Sequence, residues 1–121
     1  MLQHATREVP PPTLLACIEF YALLGLRQVP TPPGIGDRAV WLAHDASQIH
    51  LMPVDGAQPQ SGHVGLVVSD YEQRLASLRS RGHDVDPRRE HWGSPRAYVR
   101  DPAGNLVELM AFAPGGDPQP A

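Results

Sequence analysis

Four side chains that can bind a metal ion occupy matching positions in two similar halves of this 121-residue sequence. His4 and His63 each begin a stretch whose pattern predicts a strand and then a helix that ends at a glycine. His50 and Glu108 lie in the final predicted strand of each half. Three imidazoles and one carboxylate suit Zn, Ni, Co, Mn or Fe(II), with positions left open for water or substrate. The internal repeat therefore predicts a divalent metal site and leaves the identity of the metal open.

Glu108 stands in a short apolar strand, where a carboxylate requires an explanation. Strand alternation places it on the face opposite to Val107 and Leu109, which are suited to pack under a helix. An isolated buried carboxylate costs several kcal/mol, so this side chain needs a cation or a proton beside it. We expect a bound metal to supply that charge.

The predicted catalytic residues are Glu108, Tyr98 and Arg96, and the predicted substrate-binding residues are Arg96, Tyr98, Trp41 and Met52. A guanidinium presents a fork of donors that suits a carboxylate or phosphate, so Arg96 is interpreted as a substrate clamp with little effect on stability. The alternative is that Arg96 pairs with a neighbouring carboxylate. Tyr98 adds a donor near the metal. Trp41, at the matching position of the repeat, is either a core aromatic or a substrate wall.

Both halves show the element order βαβββ. This order predicts an α+β fold of two βαβββ modules, each a curved sheet with its helix outside, whose concave faces pair into a cup. We divide the single predicted domain into module 1 at about 1–52, a linker at 53–62, module 2 at about 63–112 and a flexible tail at 113–121.

Local signals mark where the elements begin and end. Thr13 is a candidate cap for the first helix, and Ser69 with Glu72 forms a capping box for the second. Residues 83–86 predict a short strand. The Asp-Pro-Ala-Gly sequence at 101–104 predicts a tight turn between the last two strands.

Composition excludes several classes of partner and location. A net charge of -3 argues against a nucleic-acid partner, and Cys17, as the single cysteine, excludes an internal disulfide and is interpreted as a buried, inert thiol. No apolar run approaches the roughly 20 residues that span a membrane. The first residues lack the charged start and apolar stretch of a signal peptide, so we expect a soluble cytoplasmic protein.

Three segments carry a resemblance to a known group of proteins: 63–70 (HVGLVVSD), 20–26 (FYALLGL) and above all 96–109 (RAYVRDPAGNLVEL). They resemble the vicinal oxygen chelate superfamily, which contains glyoxalase I, extradiol dioxygenases, methylmalonyl-CoA epimerase, fosfomycin-resistance transferases and bleomycin-binding proteins. The resemblance covers the chain from about residue 4 to 112. It implies the paired-module fold but does not identify the reaction, because members differ in chemistry on one scaffold.

The resemblance also implies the ligand set. The superfamily's metal ligands fall on His4, His50, His63 and Glu108, the same four residues that the repeat selects. In similar single-domain members, modules from different chains pair, which predicts a homodimer. His4 and His50 would then come from one subunit and His63 and Glu108 from the other.

We expect a small metal-dependent, glyoxalase-like enzyme whose divalent metal acts as a Lewis acid on a small molecule with neighbouring oxygens. Lactoylglutathione lyase is disfavoured because it would have a carboxylate in place of His50. One alternative is an Fe(II)-dependent extradiol-type dioxygenase that uses His4, His63 and Glu108, with His50 beside the substrate. The other alternative is a metal-free, antibiotic-binding protein of the bleomycin-resistance type.

Overall fold

The chain folds into two four-stranded sheets, each accompanied by one α-helix. We describe it from a computed structural model, which describes residues 1–115; the rest of the predicted tail, 116–121, lies outside the described residues. The α+β class and the two βαβββ modules predicted from the sequence are confirmed. No helix within 1–115 is long and apolar enough to cross a membrane.

The first compact unit comprises Met1–Gln60 together with Asp101–Asn105. Its sheet has the strand order β1-β4-β3-β2, in which β1 is parallel to β4 and the other pairs are antiparallel. The elements are β1 (His4–Val9), α1 (Leu14–Leu23), β2 (Arg27–Val29), β3 (Val40–His44) and β4 (Ser47–Pro53). Short 3₁₀ turns occupy Pro11–Thr13 and Gly36–Arg38, the second within a stretch of loop composition.

The second compact unit comprises Ser61–Arg100 and continues from Leu106. Its sheet repeats the topology of the first, with the order β5-β8-β7-β6. The elements are β5 (His63–Val67), α2 (Tyr71–Ser80), β6 (Asp86–Arg88), β7 (Arg96–Arg100) and β8 (Leu106–Met110). The Asp101–Asn105 turn joins β7 to β8 in sequence and clusters with the first unit.

Alternation along the strands separates an apolar face from a polar face in the second sheet. The buried apolar side chains on β7 and β8 are Ala97, Val99, Val107 and Leu109. The residues between them, Arg96, Tyr98 and Glu108, point to the opposite face. The same pattern holds on β4, where Ile49 and Leu51 are buried on either side of His50.

The predicted helix caps are wrong. α2 begins after Asp70, whose φ is 52°, and no side-chain cap bond forms, so Ser69 and Glu72 do not make a capping box. The Ser69 carbonyl instead accepts a hydrogen bond from Arg74 Nε at 3.2 Å. At α1 a 3₁₀ turn precedes the helix, and the Thr13 hydroxyl donates to the Pro10 carbonyl at 2.7 Å rather than capping.

The short strand predicted at 83–86 lies further along the chain. β6 is Asp86–Arg88, because it pairs antiparallel with Arg96–Tyr98 on β7 and that register fixes its position. Pro87 is tolerated there because β6 is an edge strand, where one face of the backbone needs no ladder partner.

A group of buried polar side chains runs through the first unit. Arg7 is almost fully buried on the same face as Val9, and its Nη1 donates to the Gln60 amide oxygen at 3.3 Å. The Tyr21 hydroxyl donates to Asp101 Oδ2 at 2.7 Å. Burial and the Asp101 carboxylate raise the pKa of Tyr21. These contacts explain why the turn at 101–105 clusters with the first unit.

Cys17 provides a test of this packing. The thiol is fully buried on α1, and burial, followed by the charge of Asp101, raises its pKa from an ordinary 9.0 to about 11. At pH 8 the thiolate should therefore be roughly 100-fold scarcer in the folded protein than in the unfolded chain. We expect a thiol reagent such as dithionitrobenzoate to react at least about 100-fold more slowly under native conditions than in denaturant. A fast native reaction would show that α1 is not packed as described.

Candidate functional site

Glu108 lies at the centre of the polar face of the second sheet. Its side chain is only 10% exposed, and its two carboxylate oxygens have different partners. Oε1 lies 3.2 Å from His63 Nε2, and Oε2 accepts a hydrogen bond from Arg96 Nε at 3.3 Å. One oxygen is therefore held by a permanent cation, while the other faces an imidazole nitrogen.

Arg96 uses its guanidinium within the sheet. Besides the bond to Glu108, Nη1 donates to the Arg89 carbonyl at 2.8 Å and Nη2 donates to the Tyr98 hydroxyl at 3.4 Å. Its side chain is 9% exposed, and the hydrogen bond to Glu108 raises its pKa. Three of the five N–H donors are thus engaged. The structure shows the alternative in which Arg96 pairs with a neighbouring carboxylate.

This pairing changes what the burial of Glu108 implies. A buried carboxylate needs a cation beside it, and from the sequence we expect a metal in that place. Arg96 already supplies one positive charge at hydrogen-bond distance. The burial of Glu108 is accounted for without a metal, so support for a metal must come from the donor atoms themselves.

Tyr98 forms the next part of this face. Its ring lies under two guanidinium groups. The guanidinium carbon Cζ of Arg88 is 4.9 Å from the ring centroid, and that of Arg96 is 5.4 Å away. The His63 ring centroid is 5.6 Å away on a tilted plane. Tyr98 therefore lies between the exposed edge strand β6 and the His63–Glu108 pair.

His4 and His50 form the corresponding pair on the first sheet. Their rings stack at 4.1 Å, and the other face of His50 stacks on Trp41 at 4.3 Å with nearly parallel planes. His50 Nε2 lies 2.7 Å from the Gln48 amide oxygen, and His4 Nδ1 lies 2.7 Å from that of Gln3. A neutral imidazole that donates its N–H to such an amide oxygen keeps a lone pair on its other ring nitrogen.

The pKa of His50 is lowered, first by burial and then by the neighbouring His4 ring. A lowered pKa keeps the imidazole neutral at pH values where a solvated histidine would be protonated. A neutral ring is the form that binds a metal or accepts a proton.

The two pairs occupy the same register positions. On the first sheet His4 pairs with Gln48, two residues before His50. On the second sheet His63 pairs with Leu106, two residues before Glu108. The structure thus brings together His4 with His50, and His63 with Glu108, within their own units.

The donor atoms of the second pair fit a divalent metal. Two ligands bound at about 2.1 Å lie about 3.0 Å apart across a right angle and about 3.4 Å apart across a tetrahedral angle. The 3.2 Å between His63 Nε2 and Glu108 Oε1 falls between these values. Each unit holds one such pair, and among residues 1–115 no group of three or more His, Cys, Asp or Glu side chains is gathered closely enough to hold an ion.

Each unit also has a pocket, and neither pocket is lined by His4, His50, His63 or Glu108. The first, of about 610 Å³, is lined by Trp41 and by apolar residues of α1, β2 and β3. The second, of about 650 Å³, is lined by Tyr98, Arg88 and residues that follow α2. Met52 is 37% exposed on β4 and lines neither pocket. Arg88 was not predicted as a site residue, although a correctly placed β6 would have shown it opposite Arg96 on the edge strand.

Comparison with known proteins identifies the class. The model of the Glyoxalase/Bleomycin resistance protein/Dioxygenase superfamily matches residues 3–109. The chain therefore belongs to this superfamily, as the resemblance in its motifs had implied. No curated protein sequence matches it significantly.

Solved structures share the fold at low sequence identity. A Bacillus anthracis protein assigned to the glyoxalase family superposes with a TM-score of 0.80 at 22% identity, covering 91% of this chain and 93% of that one. The oxidase ChaP-H2 gives 0.76 at 19% identity over 96% of both chains. A lactoylglutathione lyase from Agrobacterium tumefaciens gives 0.68 at 23% identity, covering 91% and 92%.

The contacts of Arg96 reverse the expectation that its loss leaves stability unchanged. Arg96→Met should lower the unfolding temperature by several degrees, because it leaves a buried carboxylate without its guanidinium partner. Combining it with Glu108→Gln should recover part of the loss, since the uncompensated charge is then gone. Arg89→Met is the control, because only its backbone carbonyl contacts Arg96. Equal unfolding temperatures for Arg96→Met and the control would contradict this account.

Proposed function

We propose that this chain is a metal-dependent enzyme in which His4, His50, His63 and Glu108 bind one divalent ion, within a chain or across a dimer. Its substrate would be a small molecule with two neighbouring oxygens. The main support is the His63–Glu108 donor pair, with its 3.2 Å separation and its anchoring by Arg96. The stacked His4 and His50 rings, at register positions that match those of His63 and Glu108, add to it.

Each residue has a defined part in this proposal. Arg96 holds Glu108 through Oε2, which leaves Oε1 directed toward His63 as the metal-binding oxygen. Gln48 accepts the N–H of His50 and so orients its free nitrogen. Tyr98, within hydrogen-bond reach of Arg96, presents its hydroxyl beside the pair as a donor. The bound ion would supply Lewis-acid stabilisation of an enolate or similar anion.

The reaction within the superfamily is the finer part of the proposal. The similar structures include a protein named as a lyase and one named as an oxidase. We favour lyase or isomerase chemistry with all four ligands. The alternative is an Fe(II)-dependent extradiol-type dioxygenase with His4, His63 and Glu108 as ligands, which leaves His50 beside the substrate.

One observation favours a second candidate, a metal-free protein that binds an aromatic compound. The negative charge of Glu108 is already paired with the positive charge of Arg96, so the second unit needs no metal ion to neutralise this carboxylate. A continuous aromatic stack is formed by His4, His50 and Trp41. A planar ligand can stack against its outer rings. Whether the protein binds a divalent metal tightly distinguishes the two candidate functions. A cytoplasmic location stays a prediction under either.

Metal binding by variants at the pair tests the first candidate. Wild-type protein titrated calorimetrically with Zn²⁺ should bind one equivalent per chain, and Glu108→Gln should weaken that binding at least about 100-fold, because a charged ligand is lost. Glu72→Gln, an exposed glutamate on α2, is the matched control and should bind as wild type does.

Three results would contradict the proposed four-ligand metal site. Wild-type affinity in Glu108→Gln would remove Glu108 from the ligand set. Full retention in His50→Ala would favour the three-ligand dioxygenase. Absence of tight binding in wild type would support the metal-free binding protein.

The dimer is a separate prediction. Size-exclusion chromatography with light scattering should give twice the chain mass of 13.2 kDa. A monomer at micromolar concentration would contradict the dimer and would require all four ligands to come from one chain.

A further inference from the structure

Two arginines contact the ring of Tyr98, and they differ in how many other groups they bond to and in how exposed they are. Arg96 is buried and bonded to a carboxylate, a carbonyl and a hydroxyl. Arg88 on the edge strand β6 has a side chain that is 46% exposed. Its contacts are an ion pair with Asp86 at 3.1 Å and the face of Tyr98. Of the two arginines that contact Tyr98, Arg88 is therefore the one that a ligand can reach.

The Arg88–Asp86 pair can be exchanged for a ligand at low cost. The Asp86 side chain is 63% exposed, and an ion pair open to water contributes little to stability. Asp86 returns to solvent when an oxyanion takes its place. Tyr98 beneath Arg88 limits where the guanidinium can lie, which favours a defined geometry for that oxyanion.

The pocket of about 650 Å³ in the second unit gives such a ligand room. Arg88 and Tyr98 line it, and its other ionisable lining residues are His83, Asp84, Asp86 and Arg100. The charges of the two arginines and the two aspartates balance. A planar carboxylate with one negative charge fits the fork of Arg88 and meets less repulsion from Asp84 and Asp86 than a phosphate dianion would.

The sheet sets the distance between this pocket and the His63–Glu108 pair. β6 and β8 are separated by β7, and Tyr98 pairs with Asp86 on one side and Glu108 on the other. Two strand spacings of about 4.8 Å amount to roughly 10 Å between the backbones. Arg88 contacts the ring of Tyr98, and Tyr98 is the register partner of Glu108, so a compact ring held by Arg88 can extend toward Glu108.

We propose that Arg88 determines substrate specificity by binding a carboxylate, so that the substrate is a compact vicinal-oxygen compound with a carboxylate at its far end. This inference rests on the proposed metal-dependent function and gives it a substrate class. Arg96, which the sequence suggested as the clamp, is instead a positioning residue for Glu108 and Tyr98.

Two probes that differ only in a carboxylate test the inference: catechol and 3,4-dihydroxybenzoate, titrated calorimetrically into the Zn²⁺-loaded protein. Wild type should bind the carboxylate probe about 10- to 100-fold more tightly, the range expected for a hydrogen bond to a charged group. Arg88→Gln should abolish that preference and leave catechol binding unchanged. Arg89→Gln, the exposed arginine that follows it, should retain the preference. Arg88→Lys should retain part, since the charge stays and the fork is lost.

The outcomes distinguish a failure of this inference from a failure of the proposed metal-dependent function on which it rests. Equal binding of the two probes by wild type, failure of both to bind, or an unchanged preference in Arg88→Gln would overturn the role of Arg88. Catechol binding that survives both metal removal and Glu108→Gln would overturn the proposed function instead, whatever Arg88 does. Circular dichroism of Arg88→Gln should match wild type, because the side chain is nearly half exposed and its ion pair with Asp86 contributes little to stability.

Discussion

The ion pair between Arg96 and Glu108 is the interaction on which the second unit's site depends. A carboxylate can stand in the apolar strand β8 because a guanidinium on β7 reaches it across one strand spacing. The same contact turns one oxygen toward His63 and leaves Arg96 bonded to Tyr98. Removing either partner would leave a buried charge, so the pair fixes both the fold of this face and the chemistry available on it.

The repeat gives the two sheets one backbone arrangement with different electrostatics. His50 occupies the register position of Glu108, and burial lowers its pKa and keeps it neutral. The first unit therefore offers lone pairs in an aromatic stack, whereas the second offers a carboxylate held by a cation. In the proposed function, one carboxylate and three imidazoles would make up a ligand set suited to a divalent ion of intermediate softness.

Alternation and the repeat predicted the fold class, the sheet faces and the side of the sheet on which Glu108 lies. They did so because strand periodicity is a local property of the backbone. They did not predict how Arg96 is used, since a long side chain can reach several partners and the choice depends on neighbouring strands. The capping box at Ser69 failed for a related reason: the left-handed Asp70 and the reach of Arg74 satisfy that turn differently. The polar contacts of Arg7 and Asp101 join residues far apart in sequence, which no local pattern reveals.

The central claim is that the His63–Glu108 pair is half of a metal site held in shape by Arg96. Anomalous diffraction at the zinc edge from crystals of the Zn²⁺-loaded protein tests it most directly. The account predicts one strong peak within about 2.2 Å of both His63 Nε2 and Glu108 Oε1, with Arg96 still bonded to Oε2. A zinc peak at a different position would contradict the claim. So would zinc-saturated crystals in which His63 and Glu108 still contact each other with no ion between them.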